Sequence, residues 1–306
     1  MRAWSGSGRT LRPRVELIAA LLAVTATASA AQTPIPGKYP PGQSGIRGAA
    51  NPRTGWTYTN FNRFFTNLEV HDEGSVQPVN ELRFANISMF TWASDHRVLG
   101  MKYGALCGIP FATGNLQASS SDIGSKSFGL GDVLVTPISL NGAASTLDYQ
   151  FQFTVWTPSG HFEPGGASNR GNGAWALVYS IGGVAYPGGA RDDWSLSAVA
   201  RFEQNFEQKE TGVKPGDDVV VDWGLGKVLP ASSRPFEVGV SGFGTWQLSE
   251  QEGGAHTGPY RYFGAGPEAS KPLNDWLALR LRLQWEFGTR NAIQGNNAWL
   301  IANFRL

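Results

Sequence analysis

The chain has 306 residues, a formal net charge of +1, 39 glycines, 17 phenylalanines, 11 tryptophans and one cysteine. Because a lone cysteine cannot pair within the chain, Cys107 excludes an internal disulfide, and its place on an apolar strand face favours packing as a small hydrophobe. Basic residues form no run beyond the first 16 positions, which excludes a nucleic-acid-binding protein. No segment holds about twenty consecutive apolar residues, so no transmembrane helix is predicted.

The first thirty residues have the composition of an export signal. Residues 1–16 carry four arginines and one acid, residues 17–24 are apolar, and Ala28-Ser29-Ala30 provides the small residues that a signal peptidase recognises. The apolar run is too short to cross a bilayer as a helix. We therefore predict a removed signal peptide at 1–30, with a disordered basic N-terminus as the alternative.

Residues 31–53 form a leader that shows no periodicity. It contains five prolines, which are Pro34, Pro36, Pro40, Pro41 and Pro52. Prolines and glycines at this density interrupt helices and strands, so no regular element is predicted here. Two placements fit the composition, because the leader could enter the interior of the following domain or remain a mobile periplasmic tail.

Residues 54–306 alternate between apolar and polar side chains in twelve segments, which predicts twelve strands and an all-β fold. The boundaries are good to about two to four residues. The strands are predicted at about 54–65, 80–93, 97–109, 128–140, 146–157, 173–186, 194–207, 218–229, 236–248, 260–268, 276–287 and 297–306. Both faces of the sixth strand are apolar and the tenth is weakly patterned, so their orientations stay open.

The strand at 276–287 shows the pattern most clearly. Leucine, tryptophan and phenylalanine occupy one parity from 277 to 287, and arginine, glutamine and glutamate fill much of the other. Successive strand side chains point to opposite faces, so one face is apolar and the other is charged. This suits a transmembrane β-strand of about ten residues, and also a half-buried strand in a soluble sheet.

The connections between strands favour the membrane interpretation. Joins at about 94–96, 141–145, 187–193, 230–235 and 269–275 are short, whereas those at 66–79, 110–127, 158–172, 208–217, 249–259 and 288–296 are mostly longer and polar. Outer-membrane barrels have short periplasmic turns and longer outer loops. Strands can cross lipid only in a closed barrel, because every backbone group must then be paired within the protein. A periplasmic β-sandwich or barrel is the soluble alternative.

Several stretches resemble the outer-membrane family of phenol meta-pathway degradation proteins. They are Phe128-Gly-Leu-Gly-Asp132 with Thr136-Pro137, Thr157-Pro-Ser-Gly160 with Pro164-Gly165-Gly166 and Asn172, Lys214-Pro215-Gly216-Asp217, Asp222-Trp223-Gly224-Leu225-Gly226-Lys227, Gly266-Pro267-Glu268 and Trp285-Glu286-Phe287-Gly288. The resemblance covers most of the chain after the signal. It implies a twelve-stranded transmembrane antiparallel up-and-down β-barrel, encoded alongside enzymes of aromatic catabolism, that passes hydrophobic compounds inward.

The charged parity of the strands would face the lumen of such a barrel. Its pore-lining candidates are Lys102, Asp148, Arg201, Glu203, Asp222, Glu237, Arg280, Arg282, Glu286 and Arg305. Mixed charges either pair across strands and stiffen the wall or line an aqueous path, with Arg280 and Arg282 contributing selectivity. Eight strands leave an interior that side chains fill and sixteen leave an open channel, so twelve predict a narrow one.

Three classes of function are compatible with an outer-membrane barrel. The first prediction is passive passage of small hydrophobic or aromatic compounds, and the second is a structural or adhesive barrel that works through its surface loops. An enzyme is disfavoured because no histidine shares a strand face with a serine, and all four are assigned to loops or turns: His71, His96, His161 and His256. No cofactor or metal is predicted, and the expected partners are outer-membrane lipid, lipopolysaccharide, the assembly machinery and a small hydrophobic solute.

Overall fold

The computed structural model describes residues 34–72, 74–113, 128–164, 169–191, 193–230, 234–254 and 258–306. The predicted signal peptide at 1–30 and the tip of the predicted join at 110–127 lie outside these ranges. Residues 31–306 form one compact unit. None of the described residues belongs to a helix with the length and apolarity needed to cross a membrane.

The described chain is built from thirteen β-strands. They are β1 (Gly55–Asp72), β2 (Ser75–Val98), β3 (Met101–Thr113), β4 (Phe128–Leu130), β5 (Leu134–Ala143), β6 (Leu147–Trp156), β7 (Ala176–Ala185), β8 (Trp194–Asn205), β9 (Asp218–Leu229), β10 (Phe236–Gln247), β11 (Arg261–Pro272), β12 (Leu277–Arg290) and β13 (Ala292–Arg305).

The strands close into a twelve-stranded antiparallel barrel, which confirms the predicted fold class. Apart from β4 and β5, each strand pairs with its neighbours in sequence, and β1 pairs with β13 from Thr57 opposite Arg305 to His71 opposite Ala292. The short β4 and the longer β5 both pair with β3, so they share one position in the wall. Closure leaves no unpaired sheet edge, as a strand wall in lipid requires.

The predicted faces of the strand at 276–287 are confirmed in β12. Leu281 and Trp285 are 59% and 52% exposed on the outside, whereas Arg282 is 1% exposed on the inside. The previously open orientation of β7 is also fixed, since Tyr179 and Ile181 point outward and Val178 is buried. The barrel therefore carries an apolar outer belt around a polar interior.

One predicted strand, at 128–140, is divided in the structure. The break falls at Asp132, between β4 and β5, because this residue turns inward and accepts hydrogen bonds from other loops. The backbone N–H groups of Gly160 and Asn172 both donate to its carboxylate at 2.9 Å. A buried carboxylate with such partners breaks the regular ladder, and alternation of side chains alone does not signal this.

At the end of the barrel away from the C-terminus, called the loop end, the strands are longer than predicted. β1 and β2 pair as far as Asp72 opposite Ser75, through the predicted join at 66–79. β12 and β13 are separated by Asn291 alone, where a loop at 288–296 was predicted. Backbone pairing continues where apolar alternation ends, because strand hydrogen bonds need no lipid. His71 therefore lies in a strand, which corrects its assignment to a loop.

The opposite end, called the turn end, carries the short connections. β2 continues to Val98, so His96 lies in a strand and the turn predicted at 94–96 is wrong. Leu99 and Gly100 make the two-residue turn instead, with φ of 52° and 79°. Positive φ at both central residues is the geometry whose twist matches two antiparallel strands. His161 lies in a loop as predicted, and His256 lies outside the described residues.

One part of the outer belt is polar. Asn62 Nδ2 donates to Asn60 Oδ1 at 2.7 Å, and Asn86 Nδ2 donates to Asn62 Oδ1 at 2.9 Å. The Tyr58 and Ser88 hydroxyls lie 3.0 Å apart beside them. These groups form hydrogen bonds with one another across β1 and β2. The hydrogen bonds offset much of the desolvation cost of amides on an outward face.

Candidate functional site

The leader runs through the lumen. Near the turn end, the N–H of Asn51 donates to Asp148 at 3.3 Å, and near the loop end the N–H of Gly37 donates to the hydroxyl of Tyr260 at 3.1 Å. The segment from 34 to 53 forms no strand, as its prolines predict. Of the two placements left open by the sequence, the structure has the leader inside the barrel.

The leader is fixed toward the loop end by Lys38 and two inward acids. The ammonium group of Lys38 forms a buried ion pair with Asp132. Its backbone N–H donates to Glu203 at 2.5 Å, and the N–H of Tyr39 donates to the same carboxylate at 3.1 Å. Carboxylates that accept several donors in this way hold irregular backbone in place, because the leader has no strand partner of its own.

Asp222 holds the middle of the leader. It accepts the N–H of Gly42 at 2.8 Å, the N–H of Ser44 at 3.0 Å and the hydroxyl of Tyr39 at 2.5 Å. Arg201 donates to Asp222 at 3.2 Å, and its guanidinium lies 4.1 Å from the centre of the Tyr39 ring. Burial raises the pKa of Tyr39, so the phenol stays protonated and remains a donor.

Two arginines on β12 share one carboxylate beneath the leader. Arg282 Nε donates to Glu268 at 2.7 Å, and Arg280 Nε lies 3.3 Å from the same side chain. Arg282 also donates to the carbonyl oxygens of Gly42 and, at 3.3 Å, of Ser44. One negative charge therefore faces two positive charges, and leader carbonyl oxygens accept further hydrogen bonds from both arginines.

Glycines on both sides allow the leader to lie close to the wall. Gly45 has a φ of +61°, and a Cβ there would overlap the guanidinium of Arg282. A Cβ at Gly224 on β9 would lie 2.7 Å from the backbone of Ile46. The leader thus packs directly on the β9 backbone, an approach that a side chain would prevent.

The leader is also attached toward the turn end. Arg47 Nε donates to Glu237 at 2.5 Å, and Ala49 packs among Val184, Tyr186 and Val199. Asp148, besides accepting from Asn51, accepts from the Tyr186 hydroxyl at 2.8 Å and from Arg191 at 2.6 Å. The attachment points lie mainly on β8 to β12, so the leader follows one side of the lumen.

The other side of the lumen is a chamber made of two continuous cavities. The inner cavity has a volume of about 300 Å³, and the cavity nearer the turn end has about 810 Å³. They share the lining residues Gly48, Thr59, Leu106, Gln150, Gln152 and Asn303. Phe61, Trp156 and Val178 add apolar surface to the inner cavity. A separate, smaller cavity of about 60 Å³ lies toward the loop end, beside Pro34 and Tyr262.

The predicted pore-lining residues fall into three groups. The largest group contacts the leader: Asp148, Arg201, Glu203, Asp222, Glu237, Arg280 and Arg282. Glu286 instead accepts from Asn297 at 2.7 Å near the loop end. Lys102 donates to Thr54 at 3.1 Å, and Arg305 lines the cavity near the turn end. A role in lining a solute path stays a prediction for all ten.

Sequence reasoning missed the leader side of these contacts. Lys38, Tyr39 and Arg47 were not candidates, although basic residues in a leader that contains no acid could have signalled partners among the inward acids. It also missed the uncharged chamber wall of Thr136, Gln150 and related residues, which have no distinctive spacing. Among the residues that the structure describes, no group of three or more His, Cys, Asp or Glu side chains could hold a metal ion.

Known proteins share this barrel architecture. The family model described as "Putative MetA-pathway of phenol degradation" matches residues 72–301, whereas no curated protein matches the chain. The COG4313 outer membrane channel from Pseudomonas putida F1 is similar with a TM-score of 0.67 at 13% identity, covering 83% of this chain and 97% of that one. This likeness shows a shared outer-membrane barrel fold.

A weaker likeness is to the Pseudomonas putida toluene transporter TodX, with a TM-score of 0.40 at 10% identity over 89% of this chain and 98% of that one. The β domain of the Bordetella autotransporter BrkA gives a TM-score of 0.47 at 10% identity, over 82% and 100%. Neither likeness adds to the fold assignment. The match to the family model, by contrast, covers more than half of the chain. This protein therefore belongs to the family described as "Putative MetA-pathway of phenol degradation".

Proposed function

We propose that the protein is a passive outer-membrane channel for small hydrophobic or aromatic compounds. The observation that carries the proposal is the chamber, because an apolar and aromatic wall lies next to hydroxyl and amide groups in a space of solute size. Leu106, Trp156 and Val178 offer surface for a ring, and Thr136 and Gln152 offer hydrogen bonds to a substituent. Ligand sites in proteins commonly combine a mostly apolar lining with a few polar groups in this way.

The remaining features of the proposal concern membrane placement. A removed signal at 1–30 would direct the chain to export, and the apolar outer belt would contact outer-membrane lipid and lipopolysaccharide after insertion by the assembly machinery. With the turn end in the periplasm, the wider cavity opens toward the periplasm and the narrow one lies toward the cell exterior. The leader then sets the width of the passage at its outer part.

A solute must pass beside the leader at the narrow end. Pro34, Pro36 and Pro40 lie on one side of the 60 Å³ cavity, and Phe65 and Tyr262 lie on the other. Arg63, Glu286 and Asn297 also line this cavity, so a solute there meets apolar rings together with polar groups of the wall. Small displacements of the leader widen it, because no backbone ladder ties residues 34–37 to the wall.

The test is uptake of labelled toluene and phenol by cells that lack the gene and carry either the wild-type chain or a variant. Leu106→Trp fills the chamber and is expected to lower uptake to the level of the deletion strain. Leu196→Trp adds the same bulk on the outer face of β8, where the leucine is exposed, and serves as the matched control. Unchanged uptake in the deletion strain across a panel of aromatic compounds contradicts the proposal.

A further inference from the structure

We infer that the chamber selects aromatic solutes that carry an anionic group, because a row of arginines and an aromatic wall line the same space. This inference rests on the proposed function and names the solute class of that channel. The ligand chemistry is a ring with a carboxylate or sulfonate, held by guanidinium groups on the leader side and by apolar surface on the other.

The charges that line the two cavities are strongly unequal. One acid, Asp275, lies among the lining residues, against six arginines: Arg47, Arg53, Arg201, Arg234, Arg280 and Arg305. The inner cavity alone is lined by three arginines and by no acid. The arginines also extend from the turn-end opening to the level of Tyr39, so a solute meets positive charge along the whole chamber.

Ion pairs behind the wall neutralise only part of this charge. Arg201 pairs with Asp222, Arg47 with Glu237 and Arg234 with Asp275.

The remaining arginines leave an excess. Arg280 shares Glu268 with Arg282, which leaves one positive charge in that group. Arg53 and Arg305 form no ion pair with any residue in the described part of the chain. A surplus of cations inside low-dielectric walls raises the local concentration of anions.

Arg47 places one of the positive charges of the inner cavity beside Arg280. Its Nε donates to Glu237, and the side chain lines the inner cavity together with Arg280. Its Nη2 is buried among protein atoms, so a solute in the cavity interacts with this side chain through its charge. A carboxylate or sulfonate there is attracted by both guanidinium groups.

The wall of the inner cavity away from the leader suits the ring of such a solute. Phe61, Leu106 and Trp156 line it together with Gln150 and Gln152. These side chains carry no charge, so they offer packing surface and neutral hydrogen bonds without competing for the anion. A solute with an anionic group at one end and a ring at the other matches both walls at once.

The experiment compares two permanently charged aromatic probes of similar size. The purified full-length chain is reconstituted into phospholipid vesicles, and the influx of benzenesulfonate and of trimethylphenylammonium is measured at neutral pH. We expect benzenesulfonate to enter at least about tenfold faster than the cation. The double variant Arg53→Gln/Arg305→Gln is expected to reduce this ratio about fivefold or more, and Arg47→Gln to reduce it further.

Arg261→Gln is the matched control, because it removes the same charge from an exposed residue at the loop end of β11, outside both cavities. Heat-dependent migration in gels verifies that each variant forms a barrel. Equal influx of the two probes, or an unchanged ratio in the arginine variants, overturns the inference. If toluene uptake by cells still depends on the protein, the channel proposal survives that result; if both fail, the proposed function fails too.

Discussion

Replacing Asp222 with alanine tests whether the inward charges hold the leader in the lumen. The carboxylate is buried and accepts two backbone N–H groups and one hydroxyl from the leader, in addition to Arg201. Asp222→Ala removes all four interactions and leaves Arg201 without its carboxylate. The backbone ladder of β9 does not depend on this side chain, so the barrel itself is expected to form.

The expected cost falls on the seating of the leader. Removing one partner of a buried ion pair costs about 3–5 kcal/mol. At about 1.4 kcal/mol per factor of ten, the ratio of seated to released leader falls between about a hundredfold and a few thousandfold. The other anchors, Lys38 with Asp132 and Arg47 with Glu237, remain, so release is expected to be frequent and reversible.

Two measurements detect release of the leader from the lumen. Trypsin cleaves after arginine, and the Arg47 side chain is largely buried in the seated leader, so cleavage at Arg47, identified by mass spectrometry, reports exposure of the segment. Single-channel conductance in planar bilayers reports the width of the lumen and is expected to rise. Asp193→Ala is the matched control, because its ion pair with Lys227 lies at the turn end away from the leader. A folded Asp222→Ala barrel with unchanged cleavage and conductance would refute the reasoning.

Three further predictions concern the outer belt, the leader backbone and the buried phenol. Leu281→Arg places a charge on the outer face of β12 and is expected to cost about 2–4 kcal/mol in urea unfolding from bilayers; a cost near zero would contradict the assigned face. Gly45→Ala adds a Cβ at a φ of +61° against Arg282, so faster trypsin cleavage of the leader is expected. The pKa of Tyr39 is raised above its ordinary 10.0, so its stabilisation of the seated leader is complete below that value and is lost as the pH rises through the raised pKa. The difference between near-ultraviolet titrations of the wild type and Tyr39→Phe should show that the Tyr39 phenol ionises above the ordinary tyrosine range. Ionisation near pH 10 would argue against its burial.

Much of the barrel could be predicted from side-chain alternation. The pattern from Leu277 to Phe287 gave both the strand and its outward face, and the closed wall follows from backbone pairing in lipid. Apolar alternation ends where the strands leave the outer belt, so the loop-end part of the β1–β2 hairpin, residues 66–79, was predicted as a loop. Side-chain alternation also does not predict the break at Asp132. This residue turns inward, contacts distant loops and divides one predicted strand.

The candidate site was less predictable than the wall. The inward acids and arginines were identified, but their partners lie 97 or more positions away in the leader, as for Asn51 and Asp148. A segment without periodicity has no sequence pattern that shows where it lies. Both a leader inside the lumen and a leader in the periplasm therefore fitted the sequence. The chamber follows from the volume that the leader leaves empty, which no sequence pattern encodes.

The threaded leader also constrains how the chain assembles. Its partners lie on β8 to β12, while β1 follows it directly and closes the barrel by pairing with β13. The binding partners of the leader are therefore in place before the seam between Thr57 and Arg305 closes. We expect the leader to bind the open sheet at that stage and to hold the start of β1 near its partners on β8 to β12. Variants that loosen the leader are then expected to close the seam more slowly during biogenesis.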